Sequence, residues 1–346
     1  MLVIRPIDYH DLPALERLAV VSGGSLTTLP AHREHLNDLI GATRQSLRAG
    51  TETGGQRSFH FVLEDIESKT LLGISGIESE IGVTSPFYSY RMGAFVHNAS
   101  QLQIHNKIGT LSICQDLAGS SRLCTLFLAP EYRQGLNHQL LSRARLLFMS
   151  LHRKLLAEKC IAELQGVIDA EGKSPFWENL GRHFFTMELS RATFLAGINF
   201  KGFIASLMPQ QPIYIPLLQE EAQDSLGKPR ADITRNKQLL EMEGFAFKNH
   251  VDIFDGGPTL EISTDEISTF QQVQTAKAVI GETVSNDATP CLISNEGFDN
   301  YRCLIAQVAS ADPRLTSQQL KALDIREGDA IQITPCYGAD QQPTPD

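Results

Sequence analysis

Apolar and polar positions alternate in blocks along this chain, and the period changes from block to block. Leu2-Val3-Ile4 is a short β-like run, and Asp11-Leu12-Pro13 sets an N-cap with proline close behind, ahead of Leu15, Leu18 and Ala19 at helical spacing. The opening is therefore predicted as strand then helix. Phe59–Leu63 and Leu71–Ile77 are apolar runs around the polar Glu64–Lys69, the pattern of a β-hairpin. Leu123–Leu128 reads as a further strand, closed by Ala129-Pro130 and followed by Arg133-Gln134-Gly135-Leu136-Asn137. Behind it Leu140, Leu141, Ala144, Leu147, Phe148 and Leu151 recur at helical spacing, with Arg143 and Arg145 on other faces. Ile161–Ile168 reads as another strand, and Ser174-Pro175 starts a capped helix with Glu178 in its first turn.

A second unit runs from about Phe203 to Glu261. It offers an apolar strand, the proline-rich Met208–Pro216, a helix from Ile233 to Met242 ended by Gly244, and a strand Val251–Phe254 stopped by Asp255-Gly256-Gly257-Pro258. Past Ile267 the periodicity weakens. The stretch from Pro290 to Pro335 predicts short strands around Leu315–Leu323, and Tyr337–Asp346 a loose end. No heptad or solenoid period is present.

With 346 residues the chain allows two or three domains, at roughly 100–200 residues each, and can bury a core without disulfides. Forty acidic against 30 basic side chains give a net charge of −10, which repels a phosphate backbone, so no nucleic-acid partner is expected. Every long apolar stretch is broken by charge and the N-terminus turns polar at Arg5, so no membrane partner is expected and the reading is cytoplasmic. Six scattered cysteines without a Cys-x-x-Cys pair read as reduced thiols, with no metal site.

Candidate chemistry is sparse. Arg133–His138 lies between a strand and a helix, where free backbone N–H groups cradle pyrophosphate and Gly135 allows close approach; a plain connecting turn explains it too. Glu78 and Glu80, two apart, project to one face, either to deprotonate an amine or to pair with a guanidinium, unless they merely face solvent. Asp252, Asp255 and Glu261 flank the Gly-Gly-Pro turn, to recognise a cation or to cap the turn. His32 and His35 stand at i and i+3 with no third ligand near. Trp177 reads as a core residue, and His60, His97, His183 and His250, in apolar strings, as hydrogen-bonded core or surface histidines.

Ile4-Arg5-Pro6 with its Asp-capped helix, the Phe61–Ile77 hairpin, and the strand closing on Pro130-x-x-Arg133 resemble the plan of the GNAT acyl-CoA acyltransferases. Longer strings are more specific: Ser25–Pro30, Phe61–Asp65, Leu123–Leu128, Ser174–Trp177, Leu207–Pro209 and Asp252–Pro258 are similar to the arginine N-succinyltransferase family, through about residue 261. The resemblance implies an α+β fold: a GNAT-like mixed sheet flanked by helices, open to a second related half, plus a small β-rich C-terminal domain. It divides the chain into residues 1–200 binding acyl-CoA, 201–267 completing the acyltransferase, and 268–346 as linker and C-terminal domain.

It further implies transfer of succinyl from succinyl-CoA, a co-substrate with no permanently bound cofactor, to the α-amine of arginine, or ornithine in some members. Leu126 matches the family's leucine contact to succinyl-CoA, and Arg133, Gly135, Asn137 and His138 would hold the pyrophosphate. Glu78, Glu80, Arg230 and Asp255 remain for the substrates. The family's proton-donating histidine stands in a Gly-x-Val-His-Pro string, whereas this chain has Gly227-Lys228-Pro229-Arg230: an ungapped match puts Arg230 in its place, and with a two-residue deletion it has no counterpart. Arginine stays protonated and is no general base, though it can hold a carboxylate or phosphate. No catalytic residue is therefore assigned, and the alternative is a non-catalytic homologous subunit. Either way a homo- or hetero-oligomer with a related subunit is expected beside the small-molecule substrates.

Overall fold

In the computed structural model the described residues are 1–23, 26–52, 55–99, 104–169, 171–198, 207–281, 288–309 and 313–338. Strands form where the sequence is β-branched or aliphatic. They are β1 (Leu2–Pro6), β2 (Ser58–Asp65), β3 (Thr70–Glu78), β4 (Ser89–Ala99), β5 (Ile104–Cys114), β6 (Ser121–Leu128), β7 (Lys159–Glu163) and β8 (Ile213–Tyr214). The later ones are β9 (Ala246–Val251), β10 (Pro258–Ser263), β11 (Gln274–Lys277), β12 (Val279–Ile280), β13 (Thr289–Asn295), β14 (Cys303–Val308), β15 (Arg314–Leu315) and β16 (Ala330–Pro335). Fourteen join one sheet in the order β11-β16-β13-β14-β1-β2-β3-β6-β7-β10-β9-β4-β5-β8, and β12 pairs with β15 separately. The fold is α+β.

Side-chain alternation in β2 builds two layers. Phe59, Phe61 and Leu63 face helix α3 (Asn137–Leu151), packing on Leu140, Leu147 and Phe148, while Val62 faces helices α1 (Leu12–Val21) and α2 (Arg33–Arg48). Trp177, Phe254 and Tyr90 fill a further cluster beyond β7.

Several expectations change. Asp11 does not cap α1 with its side chain; its carboxylate is gripped by both terminal nitrogens of Arg5 at 2.7 and 2.8 Å. The strand expected over Ile161–Ile168 stops at Glu163, and that over Val251–Phe254 stops at Val251, because the chain there turns on Asp252, whose Oδ1 accepts the N–H of Phe254 and Asp255. Arg143 and Arg145, expected on outer faces of α3, are both buried. The β4–β5 hairpin had no clear sequence signal, since most described residues of its outer half are exposed. The strand expected near Phe203 and the tail past Gly338 fall outside the described residues.

Candidate active site

Among the described residues β6 and β7 are the parallel neighbours of the large sheet, and their pairing spans only Ser121↔Cys160 to Leu123↔Ala162. Beyond Leu123 the strands part. On its other edge β6 carries a bulge, because Gly76↔Cys124 and Ile74↔Phe127 set three steps of β6 against two of β3, and Thr125 takes a φ of +54°. A bulge takes one residue out of the ladder. Gly76 is required opposite it: a Cβ there would lie 2.6 Å from the His60 ring and 2.9 Å from Cys124 Sγ.

Two cavities open where the strands part, and they share Thr27, Thr28, Arg122, Cys124, Thr125, Glu163 and Asp252. The smaller, about 420 Å³, is walled by Leu126, Arg133, His138, Arg145, Arg230, Arg235 and Asp255. Five of the residues expected from sequence, Leu126, Arg133, His138, Arg230 and Asp255, thus meet in one place. Gly135 and Asn137 belong to the loop and helix start above it. Gly135 adopts φ +54° with no atom within 4 Å of an added Cβ, so its need for glycine is conformational and not the steric crowding that close approach suggested.

The loop is held by arginines. Arg235 donates to the carbonyls of Arg133 and Gly135 at 3.0 and 2.8 Å, and Arg133 donates through Nε to Leu128 O at 3.0 Å. No side chain caps the N-terminus of α3, which leaves its first N–H groups for an anion. Burial, then the charges of Arg235, Arg145 and Arg133, push the His138 imidazole down to about 3, and its Nδ1 has no hydrogen-bond partner. Arg145 donates to Gly76 O and Cys124 O at 3.3 and 3.1 Å, bracing the bulge from behind; burial lowers it to about 10, still charged at neutrality.

The larger cavity, about 630 Å³, is lined by Asp38, His60, Glu78 and Tyr88 among others. One guanidinium, Arg122, bridges Glu78 (Nε–Oε2 2.7 Å) and Glu163 (2.9 Å). Glu80 does not join Glu78: it lies past the end of β3 in a separate cavity with Asp116, Lys154 and Lys159. His60 Nε2 reaches Thr125 Oγ1 at 3.2 Å, and burial holds its imidazole at about 4. Burial, with the charge of Glu78, raises the Cys124 thiol to about 12.

Between the cavities lies a carboxyl pair. Asp252 and Asp255 hydrogen-bond each other, and both stand above the usual carboxylate range, by burial first and, for Asp252, then by the charge of Asp255. Arg230, which an ungapped match sets at the histidine's place, lines the smaller cavity. Its N–H donates to Gln165 O at 2.8 Å, and its guanidinium is engaged by Asp232.

A family model described as arginine N-succinyltransferase beta subunit matches residues 2–269, and one for the C-terminal domain of that subunit matches residues 274–335. The chain belongs to the arginine N-succinyltransferase family. Arginine N-succinyltransferases of Escherichia coli (strain 55989 / EAEC) and Shigella flexneri are each 41% identical over 335 residues, covering 96% of this chain and 97% of theirs. The structure of arginine/ornithine succinyltransferase subunit AI from Pseudomonas aeruginosa superposes with a TM-score of 0.90 at 36% identity, covering 98% of this chain and 99% of that one.

Family motifs led to the loop and to Leu126, but not to Arg145, Arg122, His60 or Thr125. For His60 one signal was present. It sits in an apolar strand opposite Gly76, a small residue facing a large polar one.

Proposed function

We propose that this chain transfers succinyl from succinyl-CoA to the α-amine of arginine, with ornithine the next acceptor to test, in cytoplasmic arginine catabolism. The observation that carries the reading is the meeting of the two cavities at Thr125 and Asp252, one ringed by guanidiniums under an uncapped helix start, the other lined by carboxylates. The donor's phosphates suit the first, and the cationic acceptor the second. Among the described residues no helix is long and apolar enough to cross a membrane.

In this reading the bulged backbone near Leu126 donates an N–H to the thioester carbonyl, where charge develops in the transition state. The neutral amine attacks the carbonyl carbon, the C–N bond forms, and the C–S bond breaks to release CoA as its thiolate. The amine's surplus proton passes to the Asp252–Asp255 pair, which lies beside both cavities. An α-ammonium with a pKa near about 8 already supplies a neutral fraction at pH 7–8, so this proton transfer adds the roughly 10²–10⁴-fold of general catalysis. Arg230 holds an anion and moves no proton.

Purified protein with succinyl-CoA and arginine or ornithine, followed by free-thiol release, tests the proposal. Turnover with arginine is expected, and Arg230→Ala should raise KM for the carboxylate-bearing partner more than it lowers kcat. CoA binding without thiol release, and no gain in Arg230→His, would replace this reading by the second one. That second reading, a chain working beside a related active subunit, is favoured by arginine at the histidine's place.

A further inference from the structure

Outside both cavities, β5 and β9 bring a thiol, a carboxylate and an imidazole together across β4. Cys114 ends β5, Asp116 follows two residues later, and His250 stands on β9; their ligand atoms all lie within 4.8 Å of one another. His250 is buried, and its Nδ1 is hydrogen-bonded with Oε1 of Glu261 at 2.6 Å; Glu261 is only 2% exposed. With Nδ1 held by Glu261, Nε2 is turned toward Asp116 Oδ2, 3.5 Å away, on the side where Cys114 Sγ also lies. A carboxylate behind one ring nitrogen and two further donor atoms before the other is the arrangement of a histidine metal ligand.

We propose that Cys114, Asp116 and His250 bind a zinc-class divalent ion, with Glu261 as the positioning residue behind His250 and a water completing the tetrahedron. Donors 2.0–2.1 Å from a tetrahedral zinc stand roughly 3.3–3.4 Å apart, so the 3.5 Å between Nε2 and Oδ2 needs little adjustment. A thiolate, an imidazole and a carboxylate form a mixed set that suits zinc better than calcium or magnesium, and a carboxylate behind the histidine is the usual outer partner of such a ligand. The local backbone is adapted to this aim. Between Phe247 and His250 the β9–β10 register slips, and Asn249 takes a φ of +67°, which sets the direction of His250.

Two cations stand by. Arg91 NH1 lies 3.0 Å from Asp116 Oδ2 on a side chain 63% exposed, and can swing into solvent as the ion enters. Lys159 Nζ lies 3.1 Å from the other oxygen of Glu261.

The test uses the full chain, stripped with a chelator and titrated with Co(II), then with Zn(II) in competition. One equivalent should give tetrahedral d–d bands and a sulfur-to-cobalt charge-transfer band, which zinc abolishes. Cys114→Ser, at a partly exposed position, should lose the charge-transfer band in a folded protein. Glu261→Gln should weaken binding about 10–100-fold at unchanged stoichiometry. Arg91→Gln should tighten it, a result that a mere ion-pair network does not predict. A folded parent with no saturable cobalt spectrum, or a spectrum that survives both Cys114→Ser and His250→Gln, overturns the site.

Discussion

Asp252 couples acid–base chemistry to stability. Because its folded pKa is raised above the unfolded value, the folded chain binds an extra proton from the ordinary carboxylate range up toward neutrality, and stability falls as pH rises through that window. Asp252→Asn keeps an oxygen for the N–H groups of Phe254 and Asp255 while removing the titration. It should unfold at the same denaturant concentration as the parent near pH 4 and at a higher one at pH 8, with kcat lower by roughly 10²–10⁴. Equal midpoints at pH 8 and equal turnover would remove the proton role. The buried histidines act oppositely: with His60 held at about 4, its share of stability is lost as pH falls from about 6.5 toward 4. That Leu126, Arg133 and His138 wall one cavity was legible at this scale because they lie on one contiguous strand–loop–helix passage. Thr125 was not, since a left-handed threonine inside a strand has no compositional mark.

The element that organises the donor cavity is β6, whose bulge is braced by a helix behind it. Arg145 donates to carbonyls on both strands at the bulge and to the carbonyl and hydroxyl of Ser142, so its buried charge is held by neutral oxygens. Arg145→Met should let the bulge relax and misplace its N–H. If that N–H serves the thioester carbonyl, kcat falls on the order of 10²–10³-fold while KM for arginine holds, as initial rates at saturating donor would report. Arg145 was hidden from sequence reading because arginine at a helical spacing away from the apolar stripe signals solvent. The opposite error lengthened β7: Leu164 and Val167 continue its apolar pattern, but the chain after Glu163 lies against the Asp255–Gly257 turn, where Gly166 leaves no room for a Cβ. Hairpin β2–β3, with clear turn chemistry between two apolar runs, read correctly.

At the scale of the molecule, α3 ties the C-terminal strands to the rest. Arg143 bonds Glu243 at 2.7 Å and Pro335 O at 2.7 Å beneath the Tyr337 ring, and Tyr301 OH donates to Ala144 O at 2.7 Å. Arg143→Ala leaves the buried Glu243 with its hydrogen bonds from Thr269 and Tyr337 but without its cation, and should cost about 3–5 kcal/mol, read from denaturant midpoints. The sequence marked the tail as β-rich, but long-range pairing such as Ile4↔Cys303 has no local trace. The two cavities meet at Thr27, Thr28, Arg122, Cys124, Thr125, Glu163 and Asp252 and have separate walls elsewhere, so in the proposed reading both substrates are held at once. Such a molecule has no reason to store the acyl group on itself, although Cys124 stands where a covalent relay would want a nucleophile; with its thiol raised to about 12, almost none is thiolate at pH 8. Succinyl-CoA mixed with labelled CoA should therefore exchange no label until the acceptor amine is added.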